Sequence, residues 1–133
     1  MKHEIIKYYY FQEIPIDQLN TKKYSIYIID YNWNYLFANS HAIEKSGGIS
    51  VIGKNIRSVW EEHPNFRFEP VYNLLKENVD QKKAFDLRSR SPITRKAIEI
   101  VGHPLADCYY FSIYELPDKE SLIKELQSVL RRR

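Results

Sequence analysis

The chain has 133 residues, 44% of them hydrophobic, 14% aromatic and 28% charged. That length suits one compact domain, and the composition is too apolar for a disordered chain and too interrupted by charge for a membrane span. The net charge of +3 comes from 20 basic and 17 acidic residues, with Arg131, Arg132 and Arg133 at the tail, so the body is close to neutral and argues against nucleic acid as a partner.

The opening Met1-Lys2-His3-Glu4 carries no apolar run of signal-peptide length, which gives the expectation of a cytoplasmic protein with no membrane partner. Cys108 is the single cysteine; it has no internal disulfide partner and reads as a small strand residue. Residues 1–23 read as an N-terminal cap segment. Tyr8-Tyr9-Tyr10 before Pro15 leaves its conformation open between a short helix and an edge strand.

Tyr24 to Ile29 is β-prone and apolar at nearly every position, which predicts a strand covered on both faces. Asp30 to Asn34 supplies turn chemistry, and Tyr35 to Ala38 returns as the second strand of a hairpin. Asn39 and Ser40 suit the N-cap of a short helix over Ala42 to Lys45, and Gly47-Gly48 stops it. A further turn spans Ile52 to Trp60. Phe68, Val71, Tyr72, Leu75 and Val79 follow helical spacing, with Pro70 in the first turn, and predict the longest helix of the middle region.

Three strands follow, Ala84 to Arg88, Arg95 to Val101 and Cys108 to Leu116, with Gly102-His103-Pro104 among the separating residues. Pro117 ends the last strand and Asp118 caps an amphipathic helix over Glu120 to Arg131, with Leu122, Leu126 and Val129 on one face. The result is an α+β domain over residues 24–116 with a C-terminal amphipathic helix over 117–133.

That order of elements resembles the PAS fold, a five-stranded antiparallel sheet with helices on one face. Three short motifs agree with the resemblance: Ile28 to Asn39, an apolar strand ending in Asp that turns and returns to an Asn; Ile52-Gly53-Lys54-Asn55, similar to the family's "IGK" turn; and Pro104-Leu105-Ala106-Asp107, similar to its "P-L-x-D" link. Where the family often has Gly in the first hairpin this chain has Trp33, so the turn is expected to rely on Asn32 or Asn34. The family's closing "D-I-T" is replaced by Tyr114-Glu115-Leu116.

The resemblance implies a sensory or regulatory signalling module and not an enzyme. The stretch matching the flavin-binding segment of the light-sensing LOV subgroup is Gly53 to Trp60, with Ile56 where the reactive thiol would stand, which rules out a covalent flavin adduct there. The long helix contains no His, which argues against helix-ligated haem. His3, His41, His63 and His103 have no paired spacing and suggest no metal, and the cofactor stays unknown. No nucleophile elbow, Walker loop or zinc-protease motif occurs.

The resemblance places an apolar pocket between long helix and sheet, lined by Ile28, Phe37, Trp60, Tyr72, Leu75, Ile98, Ile100, Tyr110 and Ser112. It holds either a small molecule or these side chains themselves. Leu122, Leu126 and Val129 are expected to form a homodimer seam or a docking face for a signalling partner. Two rival readings stand beside the ligand-binding sensor: a ligand-free dimerisation or docking module, and a small α+β enzyme with a cone-shaped pocket. Arg88, Arg90, Arg95 and Lys96 read as a solvated face of the sheet.

Overall fold

Apolar side chains at almost every position of β1 (Ser25–Ile29) leave no polar face for water, and the strand lies inside a sheet with both faces covered. The computed structural model describes residues 10–45, 48, 50–56, 58, 70–90, 96–117, 123 and 126–130, the side chains of 70–72 excepted. A short 3-10 turn (Phe11–Glu13) and α1 (Ile16–Leu19) precede β1; β2 (Tyr35–Ala38), α2 (Ser40–Lys45), α3 (Pro70–Asp80), β3 (Phe85–Arg90), β4 (Ala97–Pro104) and β5 (Tyr109–Glu115) follow. The sheet order is β2-β1-β5-β4-β3 with every neighbour antiparallel, the five-stranded α+β arrangement the sequence predicts.

The two faces carry separate cores. On the inner face Ile29, Trp33, Tyr35, Ile98, Ile100, Tyr109 and Phe111 pack with Leu75 and Val79 of α3. On the outer face Ile26, Ile28, Phe37 and Tyr110 pack under Ile14 and Leu19, so the described part of the N-terminal segment is a cap made of helical turns. Phe11 N donates to Asp107 Oδ1 at 2.9 Å, and this bond ties the cap to the β4–β5 link.

Asn39 joins cap, sheet and α2 through all of its side-chain hydrogen-bonding groups. Its Oδ1 accepts from Ile26 N at 3.0 Å and from Ala42 N at 2.9 Å, and its Nδ2 donates to Leu19 O at 3.0 Å and Tyr24 O at 2.9 Å. The side chain is fully buried, which an amide tolerates only when its donors and acceptors are matched in this way. Asn39 is therefore the N-cap of α2, and the helix stops where Gly48, at φ 84°, donates its N–H back to Ile43 O.

Two sequence expectations are corrected here. The left-handed residue of the first hairpin is Trp33 itself, at φ 68°, and not an asparagine. Asp30 Oδ1 accepts from both Asn32 N and Asn34 N at 2.9 Å, which leaves the positive φ to the residue between them, and burial of the indole offsets the strain. Gly102, His103 and Pro104 are not a separator but the end of β4, paired with Phe111, Tyr110 and Tyr109. Gly102 is needed for close approach: a Cβ there would lie 2.6 Å from the Tyr109 hydroxyl and collide with the Phe85 ring. The turn falls later, where Leu105 N donates to Cys108 O.

Candidate functional site

The hairpin tip, the IGK-like turn and the end of α3 meet along the rim of the inner face. Gly53, at φ 85°, donates its N–H to Tyr35 O, and Tyr35 N donates to Lys54 O, each at 2.8 Å. Asn55 Nδ2 reaches Asn32 O and Asn34 Oδ1 at 3.1 Å. The motif thus works as a strand-like patch on the outside of β2, and it delivers Ile56 into the inner core. On the opposite side Trp33 Nε1 donates to Asp80 Oδ1 at 3.1 Å, the Tyr109 hydroxyl donates to Lys83 O, and Lys82 Nζ stands 4.6 Å from the centre of the Tyr31 ring.

Of the nine expected pocket residues, the inner core brings together Leu75, Ile98 and Ile100. Ile28, Phe37 and Tyr110 lie on the outer face under the cap. Ser112, opposite Ile26 and Val101 and two residues from Tyr110, shares that outer face. Trp60 and the side chain of Tyr72 lie outside the described residues. The sheet therefore runs through the expected set. Aromatic rings occupy much of the inner face: Tyr109 and Phe111 have centroids 5.0 Å apart, with Phe85 6.3 Å from each, and burial pushes the Tyr109 phenol well above its ordinary range.

A half-open groove of about 260 Å³ lies at the end of the sheet where β1 begins and β5 finishes, lined by Lys23, Tyr24, His41, Lys45, Tyr114 and Glu115. Ser25 Oγ sits 3.1 Å from His41 Nδ1, Lys45 Nζ sits 3.8 Å from a Glu115 carboxylate oxygen, and the Tyr24 and Tyr114 rings are 4.6 Å apart at 36°. Burial, above all, raises the Tyr114 phenol to about 12. These residues come from three separate stretches of sequence with no shared motif, assembled by the β1–β5 register and by the packing of α2 on β1. Sequence reasoning had no signal for the groove.

Beyond β5, residues 126–130 are helical. Leu126, Val129 and Leu130 are 63%, 59% and 62% exposed, with Ile123 at 44%. Leu122 lies outside the described residues. Such a run of exposed apolar side chains on one helical stretch is unusual for a surface in water.

The remaining chemistry is spare. Cys108 is buried, and desolvation followed by the Asp107 charge pushes its thiol up to about 12, which favours the protonated thiol at neutral pH. Among the described residues no cluster of His, Cys, Asp and Glu could hold a metal ion, and no helix is long and apolar enough to cross a membrane.

No protein-family model matches the chain, and no curated protein matches it significantly in sequence. Solved structures do resemble it. The PAS domain of Bordetella pertussis BvgS superposes with a TM-score of 0.62 at 14% identity, covering 88% of this chain and 99% of that one. The photoactive yellow protein domain of the sensor histidine kinase Ppr from Rhodospirillum centenum gives 0.58 at 16% identity, over 78% of this chain and 95% of that one. The PAS domain of the Cronobacter turicensis quorum-sensing receptor RpfR, solved in complex with BDSF, gives 0.54 at 14% identity, over 71% of this chain and 95% of that one. With the strand order and the two-faced core, these likenesses show that the chain has the PAS fold.

Proposed function

We propose that this PAS-fold chain is a sensory or regulatory signalling module, not an enzyme, whose state is passed through its C-terminal helix to a second copy of itself or to a signalling partner. The observation that carries the reading is the helix after β5. Leu126, Val129 and Leu130 stand exposed on it, and an isolated helical segment is marginal in water unless it buries an apolar stripe against something. A symmetric pairing of two such helices covers that stripe with the same residues on both sides, the commonest solution for soluble homo-oligomers. The fold neighbours from a sensor histidine kinase and a quorum-sensing receptor support a signalling role.

The input end of such a module is the inner face beneath α3, where Leu75, Ile98 and Ile100 of the expected pocket share one core. A second reading, a ligand-free docking module, draws its support from the packing of Trp33, Tyr35, Tyr109 and Phe111 in that same core.

Multi-angle light scattering of the full chain and of Leu126→Glu tests the reading. The parent should run as a dimer and the variant as a monomer of nearly unchanged Tm, because the substitution places like charges in the seam without touching either core. A parent that stays monomeric at high concentration and captures no partner through this helix, or a variant that remains dimeric, would overturn it.

A further inference from the structure

We propose that the groove between α2 and the end of β5 is a binding site for a small aromatic carboxylate, distinct from the inner core. Three features of the groove converge on that class. Its lining is unbalanced in charge, with Lys23 and Lys45 against Glu115, and His41 beside them. The Ser25 contact to Nδ1 fixes the His41 ring and leaves Nε2 as the ring nitrogen for a ligand.

The second feature is that the groove already holds a carboxylate. Glu115 approaches Lys45 at 3.8 Å, with the two side chains 43% and 50% exposed, a loose and solvated pair that contributes little to stability. A ligand carboxylate seated between Lys23, His41 and Lys45 meets the same ammonium with a second cation at hand. The third feature is the wall: Tyr24 and Tyr114 pack ring against ring and offer a planar apolar body a surface for stacked or edge contact. A volume of about 260 Å³ falls just under the roughly 300–1,000 Å³ of drug-sized pockets and suits a single-ring molecule.

Occupancy has a built-in consequence. Glu115 is the last residue of β5, and Leu116 N still donates to Ala97 O at 2.9 Å directly after it. A ligand that takes over Lys45 releases Glu115 at the point where the chain leaves the sheet for its C-terminal helix. The site stands independently of the oligomeric state and of whether the inner core holds a ligand.

Titration of the isotope-labelled full chain with phenylacetate, and with uncharged phenylacetamide, followed by amide chemical shifts, tests the assignment. Phenylacetate should move Tyr24, His41, Lys45 and Glu115 saturably with a Kd on the order of 1 mM, and phenylacetamide should bind about tenfold more weakly or not at all. Lys45→Ala, a surface change, should keep its Tm and lose about tenfold in affinity. The assignment is overturned by equal binding of acid and amide, by full-strength binding to Lys45→Ala, by shifts confined to inner-core residues such as Leu75 and Ile100, or by no saturable shift at the groove up to about 10 mM.

Discussion

Trp33 Nε1 donates to Asp80 Oδ1 at 3.1 Å, linking the tip of the β1–β2 hairpin to the last residue of α3. The indole is 3% exposed while its backbone holds φ at 68°, so one residue carries both a strained turn and a buried anchor. Trp33→Gly relieves roughly 1 kcal/mol of left-handed strain but removes a buried aromatic worth about 3–5 kcal/mol. The expected net loss is about 2–4 kcal/mol, with Trp33→Phe losing less. Urea denaturation of the two variants checks this, and a glycine variant as stable as the parent would show that the indole anchors nothing.

Asn39 offers a sharper case. Asn39→Ala takes the acceptor away from Ile26 N and Ala42 N and removes one donor each from Tyr24 O and from Leu19 O, which keeps Lys22 N, and each buried group left unsatisfied costs about 1–3 kcal/mol. The variant should lose at least about 2 kcal/mol and expose the cap to proteolysis first, since Leu19 and Tyr24 lose their ties to Asn39. Limited proteolysis with mass mapping reads the order of cleavage; cuts that begin inside β4 or β5 would contradict the role assigned to Asn39.

Much of this architecture is legible in the sequence. The hairpin over Asp30 to Asn34, the cap role of Asn39 and the sites of all five strands follow from turn chemistry and from residues that suit strands. Which face each strand residue takes is not legible, and the reason is physical. β1 is buried on both faces, so its side chains carry no polar alternation to set the phase. In β2 the register skips between Ile28 and Ile29, with Ile28 opposite Phe37 and Ile29 opposite Tyr35. This bulge at Leu36 sends Tyr35 to the inner core and Phe37 to the outer one, although they are two apart in sequence. The expected pocket set joins Ile28, Phe37, Tyr110 and Ser112 of the outer face to Leu75, Ile98 and Ile100 of the inner one and so mixes the faces. Gly102 misleads for a related reason, since a glycine required by ring packing looks the same in sequence as one required by a turn.

Burial of acidic protons predicts alkaline sensitivity. The Cys108 thiol rises from 9.0 to about 12 and the Tyr114 phenol from 10.0 to about 12, in both cases chiefly by desolvation. Each group keeps its proton in the fold at pH values where the unfolded chain has already released it. Stability is therefore complete below pH 9 and declines as pH climbs toward 12, by up to about 1.4 kcal/mol per pH unit for each group. In Cys108→Ala the decline should begin about one pH unit later, at the tyrosine onset. Urea midpoints from pH 8 to 11 measure it, and a parent whose midpoint stays flat across that range would refute the burial argument. The same thiol should resist a disulfide reagent at pH 8 until denaturant is added.

The division of the expected pocket by the sheet gives a test that separates a filled inner core from a ligand cavity. Ile100 is 4% exposed, stands between Leu87 and Ile113 in the ladder and belongs to the inner core; Ser112 is 5% exposed and stands between Ile26 and Val101 on the outer face. Ser112→Phe adds a ring beneath the cap, where it should cost about 1–3 kcal/mol whatever the inner face contains. Ile100→Phe differs in meaning. In a core already filled by Trp33, Tyr109 and Phe111 the added volume forces neighbours off their rotamers and costs about 1–3 kcal/mol as well, whereas a cavity able to hold a ligand absorbs the ring at little cost and then excludes the ligand. The packing of those rings favours the first outcome, so both variants should melt well below the parent, and native mass spectrometry of the parent should show the bare chain. An Ile100→Phe variant as stable as the parent, together with loss of a small molecule that co-purifies with the parent, would instead establish the inner face as the sensing pocket and remove the ligand-free reading.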